Sequence, residues 1–140
     1  MADTVSPIPI ERLRAIRLFH ELDDSALEAI AATASEFEVT AGHVLVQPNM
    51  EAAGMFLIED GTVSVEAPAL HTQRGAGECV GELALLAPGL HRTARVQAKT
   101  PVRGIAIARE QFEELLTSQP PIALGLLRVL AARLAEAAGA

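Results

Sequence analysis

The chain has 140 residues, half of them hydrophobic and 21% charged, which is the balance of a folded domain rather than of a disordered or fibrous chain. A formal net charge of -7 with no basic run to offset it argues against a nucleic-acid partner, because phosphate-backbone affinity needs a surplus of Lys and Arg. The one cysteine, Cys79, excludes an internal disulfide and suits a reducing cytoplasm.

The length leaves no room for a second catalytic or DNA-binding module, so one unit over residues 1–140 is expected. The N-terminus, MADTVSPIPIERLRAIRLF, has no charged leader followed by a continuous apolar core, so it does not read as a signal peptide. Nowhere do about 18 uninterrupted apolar residues occur, so no membrane span or membrane partner is expected and the reading is soluble and cytoplasmic.

In chain order, residues 8–34 read as helical. Leu13, Ile16 and Leu18-Phe19 recur at near-helical spacing, and Leu27, Ile30 and Ala31 form a second run. Asp23, Asp24 or Ser25 can cap that second helix, and Ser25 with Glu28 has capping-box spacing. From Phe37 the pattern turns to alternation with turn punctuation: FEV, Ala41-Gly42, HVLV, Gln47-Pro48-Asn49, MFLI, Asp60-Gly61, TVSVE. Asp60-Gly61 between two apolar runs predicts a hairpin. Further strands are expected at about Arg92 to Ala98 and Val102 to Ala108, so residues 36–108 read as a small barrel or roll.

Residues 109–138 return to helical spacing. Phe112, Leu115 and Leu116 mark one helix, Pro120-Pro121 breaks it, and Pro121 suits the first turn of a last helix. That helix carries a stripe of Leu127, Leu130 and Leu134 and a second of Ile122, Leu126 and Val129. One stripe docks on the roll and the other is spare; the spare one either packs deeper into the domain or serves a dimer or a lid. The second stripe, Ile122, Leu126 and Val129, is the expected outward face.

Within the roll, GELALLAPGLHRTARV from Gly81 to Val96 places a carboxylate, Glu82, and a guanidinium, Arg92, in an apolar segment. A buried charge costs several kcal/mol unless something pairs with it, so the two either pair with each other or meet a ligand. Leu83 to Leu86 can make one helical turn whose free amides, from about Gly81 to Ala84, suit an anion. Gly81 has no side chain to keep a ligand from that backbone. Arg92 adds a forked, permanently charged donor that suits phosphate oxygens, and Thr93 can donate to a phosphate or a base edge.

Helices, a glycine-punctuated strand-rich roll, two closing helices, the MFLIEDGTVSV hairpin, Gly75 and Gly77 in GAGECVGE, and GELALL followed by His91-Arg92-Thr93-Ala94 together resemble the cyclic-nucleotide-binding domain, from about Leu18 to Leu134. The resemblance implies an α+β, mainly β fold: an antiparallel, jelly-roll-like β roll with N-terminal helices, a short phosphate-cassette helix and two C-terminal helices. It implies a regulatory domain, not an enzyme, whose ligand is cyclic AMP or cyclic GMP. Arg92 would clamp the cyclic phosphate beside Gly81, Leu83, Ala84 and Thr93, Glu82 would accept from the ribose 2'-hydroxyl, and Val65 would wall the base while Val63 packs in the core. The signal would leave through the last helix to an unknown effector protein or a homodimer partner.

Two features depart from the family pattern. Ala69-Leu70-His71-Thr72-Gln73-Arg74 is shorter and more polar than the apolar strand pair usual there, which leaves a different anion or dinucleotide open as ligand, and Arg95 stands where a small or apolar residue is common. A module of this fold with no nucleotide, its two charges bonded only to protein, is the other alternative.

The four histidines, His20, His43, His71 and His91, lack partners at zinc-site spacing, so no metal is expected. Cys79 beside Val80 reads as a buried thiol, and Glu110, Glu113 and Glu114 as the solvated face of a helix near the positive end of its dipole. No nucleophile, base and orienting acid occur together, and four Phe residues make no platform for single-stranded nucleic acid.

Overall fold

The computed structural model describes residues 8–48, 54–67, 70–81 and 94–138. Helix α1 spans Ile10–Arg14, a 3-10 turn follows at Arg17–Phe19, and α2 spans Asp24–Ala31. The first apolar run is thus two pieces and not one helix, because Ile16 turns extended between them. That break buries Leu13, Ile16, Leu18 and Phe19 together. Of the three possible caps for α2, Asp23 is the one used, accepting from the Ala26 amide at 2.9 Å, so the Ser25 and Glu28 spacing does not form a capping box.

Among the described residues eight strands follow: β1 Ser35–Val39, β2 Val44–Val46, β3 Gly54–Asp60, β4 Val63–Ala67, β5 Leu70–Arg74, β6 Cys79–Val80, β7 Arg95–Ala98 and β8 Val102–Ala108. They form two antiparallel sheets, one ordered β1-β8-β3-β6 and the other β2-β7-β4-β5. The result is the expected antiparallel β roll, with two open sheets and no closed barrel among the described residues. Asp60-Gly61 is a turn, at Gly61, but not the expected hairpin: β3 pairs with β8 and β6 while β4 pairs with β7 and β5, so the chain crosses from one sheet to the other there, with Thr62 bonded to Lys99 and Thr100 rather than back to β3.

The sequence patterns follow from which faces are covered. In the first sheet Met55, Leu57, Cys79, Ile105 and Ile107 face the helices, while Ile58, Val80 and Val102 face the second sheet. Both faces of β3 are buried, which is why it reads MFLI without alternation. In the second sheet Val63, Val96 and Ala98 point inward and Arg95 is exposed, so β7 alternates strictly.

Helix α3 spans Arg109–Ser118 and α4 spans Pro120–Ala137, opening on Pro120 and Pro121. Phe112 and Leu115 are buried against the first sheet's helical core, and Glu110, Glu113 and Glu114 are exposed. The stripe assignment on α4 is reversed from the sequence expectation. Ile122 and Leu126 are buried, at 1% and 3% exposure, whereas Leu124, Leu127 and Leu134 are 49%, 64% and 72% exposed. The reason is Gly125, which shares the Ile122 and Leu126 face: a Cβ there would lie 2.6 Å from the Leu18 carbonyl oxygen. Only that face lets the helix approach the 3-10 turn so closely.

One charged cluster ties the N-terminus to the roll. Arg12 donates twice to Glu59, at 2.8 and 2.6 Å, and pairs with Glu36 at 2.7 Å, while Arg103 reaches Glu59 at 3.3 Å. The hydrogen bond to Glu59 dominates in raising the Arg12 guanidinium above its ordinary pKa, against a smaller opposing effect of burial.

Candidate ligand-binding site

The cassette is bracketed by two strands that belong to different sheets. Strand β6, the outer strand of the first sheet, runs into Gly81, and β7, inside the second sheet, begins just after Ala94. Val80 and Val96, one on each side, are buried in the same core between the sheets. Gly81 has φ +91°, a left-handed backbone that glycine adopts without a Cβ penalty, so the chain turns sharply where it enters the cassette.

Of the residues picked out from sequence, Gly81 and Val65 lie in the described parts; Glu82, Leu83, Ala84, Arg92 and Thr93 lie outside the described residues. Val65 sits on β4 opposite Val96, half-buried at the edge of the inter-sheet core, while Val63 on the same face is fully buried. Arg95 is exposed on its strand, and of the polar stretch Leu70–Arg74 forms β5, paired along β4, while Ala69 lies outside the described residues.

The turn from Arg74 to Cys79, which feeds β6, is held from three sides. From the N-terminal 3-10 turn, the Arg17 amide donates to the Gly77 carbonyl at 2.9 Å. From β3, Ile58 donates to the Glu78 carbonyl at 2.9 Å and accepts from the Gly77 amide at 2.8 Å. From α4, Arg133 donates to the Cys79 carbonyl, and Glu136 pairs with Arg74 at 3.2 Å. Within the turn, the Glu78 carboxylate accepts from the Gly75 amide at 2.9 Å and lies 3.6 Å from the Arg74 guanidinium.

Arg74 is the buried charged residue among those described, at 8% exposure, and its two carboxylate partners make that burial tolerable. A cleft of about 240 Å³, lined in part by Arg17, Leu18, Gly77, Val129 and Arg133, runs between α4 and this turn. Sequence reading picked out Gly75 and Gly77 but missed Arg74, Arg133 and Glu136. Their partners lie 54 and 62 residues away, so no local spacing marks them.

The described residues thus form a two-sheet β roll in which Gly81 and Ala94 flank the cassette on different sheets and α4 bonds to the turn that leads to Gly81. The family model described as "Cyclic nucleotide-binding domain" matches residues 36–119, more than half of the chain, and the chain belongs to that family.

Among curated proteins, a cyclic nucleotide-gated potassium channel from Rhizobium etli is 35% identical over 109 residues. That match covers 78% of this chain, which spans only 30% of the channel's length. Among solved structures, the regulatory subunit of a cAMP-independent protein kinase A from Trypanosoma brucei superposes with a TM-score of 0.77 at 28% identity, covering 86% of this chain and 45% of that one. A putative cyclic nucleotide-binding protein from Geobacter metallireducens gives 0.75 at 28% identity, covering 89% and 94%.

Proposed function

We propose that this chain is a cyclic-nucleotide receptor unit over residues 1–140 that binds cyclic AMP or cyclic GMP in its cassette and signals through α4 without catalysis, in the cytoplasm. The observation that carries the reading is the family match, because residues 36–119 include the whole cassette. Arg92 clamps the cyclic phosphate together with the amides of Gly81, Leu83 and Ala84. Glu82 accepts from the ribose 2'-hydroxyl, Thr93 donates to the phosphate or the base, and Val65 walls the base. The ligand then supplies partners for two charges that an apolar segment alone would hold at a cost.

Output leaves through the stripe of Leu124, Leu127 and Leu134 that α4 leaves exposed. With Ala131 and Ala138 it makes a run of Leu and Ala at alternating three- and four-residue spacing without a charge, so it is self-complementary. A second copy of this chain is the partner that such a seam fits.

A second reading has one observation in its favour: the Trypanosoma brucei relative is described as cAMP-independent. On that reading the domain is a docking module whose Glu82 and Arg92 bond only to protein. Calorimetric titration with cyclic AMP and cyclic GMP side by side separates the two. Micromolar or tighter binding supports the receptor, whereas no heat and no thermal shift with either ligand favours the docking module.

A further inference from the structure

The cleft between α4 and the N-terminal 3-10 turn is lined by charge of the opposite sign to the chain's. The chain carries a net charge of -7, yet the cleft's charged lining is three guanidiniums, Arg17, Arg74 and Arg133, against two carboxylates, Glu78 and Glu136. Both carboxylates are bonded to Arg74, and Arg133 donates to the Cys79 carbonyl. Arg17 differs: its backbone amide is bonded to the Gly77 carbonyl, but its exposed guanidinium has no hydrogen bond or ion pair among the described residues. Beside it the cleft has an apolar wall. Leu18 is buried on the 3-10 turn, Val129 packs against the core from α4, and Ala132 lies exposed on the same helix.

We propose that this cleft is a second ligand site, separate from the cassette, which takes a small organic monocarboxylate with its carboxylate on Arg17 and its apolar body against Leu18, Val129 and Ala132. Charge selects the anion. One uncommitted guanidinium balances a single negative charge through a bidentate pair, whereas a phosphate dianion would bring a second charge beside Glu78 and Glu136. Volume selects the size: the cleft holds about 240 Å³. An apolar cavity of about 150 Å³ takes up benzene, so one ring, or a chain of similar bulk, fits together with its carboxylate. An exposed ion pair alone contributes little in water, so the apolar wall supplies the affinity and Arg17 fixes the orientation. The site does not depend on the receptor reading.

The experiment titrates the full nitrogen-15-labelled chain with benzoate, with benzamide, which has the same shape and no charge, and with inorganic phosphate, following backbone amide shifts. Benzoate should give saturating shifts at residues 17–18, 77–79 and 129–136 with a Kd in the millimolar range or tighter. Benzamide should bind at least about tenfold more weakly, because it lacks the charge-assisted pair. Phosphate should produce no saturating shift at those residues. Four results would overturn the proposal: no saturation with benzoate, equal binding of benzamide, saturation of the same residues by phosphate, or benzoate shifts centred on residues 81–94, which would put the anion in the cassette.

Two variants test the two halves of the site. Arg17→Gln removes the guanidinium while the backbone amide keeps its bond to Gly77, and Ala132→Leu fills the cleft while leaving every charge in place. Each should weaken benzoate by about tenfold or more and otherwise keep the native spectrum. Unchanged binding in either variant would overturn the proposal, since the ligand would then be missing its charged or its apolar contact. No cyclic nucleotide enters the experiment, so failure of the receptor reading changes none of these outcomes.

Discussion

Leu57 and Ile58 are neighbours on β3, both fully buried, yet they belong to different cores: Leu57 packs under the helices and Ile58 between the two sheets. The first sheet is therefore the shared wall of the molecule, and it sets the position of both the closing helices and the second sheet. Leu57→Ala should cost about 2 to 5 kcal/mol, and the gentler Ile58→Val about 0.5 to 1.5 kcal/mol. Equilibrium denaturation checks both, and a loss well under 1 kcal/mol for Leu57→Ala would contradict its placement in a packed core.

Arg92→Ala should remove most cyclic-nucleotide binding. Loss of one charge-assisted clamp costs roughly 2 to 4 kcal/mol, on the order of 100-fold in affinity. Calorimetry on the variant reads this directly, and unchanged affinity would place the phosphate elsewhere.

Gly81→Ala tests the entry turn. With φ at +91° the new Cβ is strained whatever space surrounds it, and stability should drop by about 1 to 3 kcal/mol. Thermal and denaturant unfolding measure the loss; an alanine tolerated at no cost would mean that the backbone turns elsewhere.

Glu59 lies between Arg12 and Arg103, and Glu59→Gln should cost about 1.5 to 3 kcal/mol by weakening charge-assisted bonds between α1, β3 and β8. The Arg12 pKa is raised in the fold, so its contribution is complete below the unfolded value and fades only as pH climbs through the raised one. That window lies beyond ordinary alkaline conditions. Titrating stability from pH 7 to pH 10 should show no loss attributable to Arg12.

Leu127→Glu should abolish self-association without lowering stability, since the side chain is 64% exposed and packs on nothing in its own core. Light scattering across a concentration series follows the change in mass. A native chain that stays monomeric at every concentration would leave the stripe to a different protein.

Much of this molecule is determined by local pattern. The alternation in β4 and β7, the turn at Asp60-Gly61, the proline break before α4 and the bracketing of the cassette by two strands are short-range features that short-range sterics and burial settle, whereas the assignment of β3 and β4 to different sheets across that turn is tertiary. The residue types at 82 and 92 mark a ligand or an ion pair for the same reason: a charge in an apolar run needs a partner. Tertiary structure decided three further things. It split the first helical run at Ile16, chose the face of α4 that docks, and brought Arg74, Glu78, Arg133 and Glu136 to one turn. The second of these was half-written in the sequence, because the lone glycine of α4 marks its close-packed face. The third was not, since contacts across 54 and 62 residues depend on how helices and sheets stack, and no period within one element encodes that.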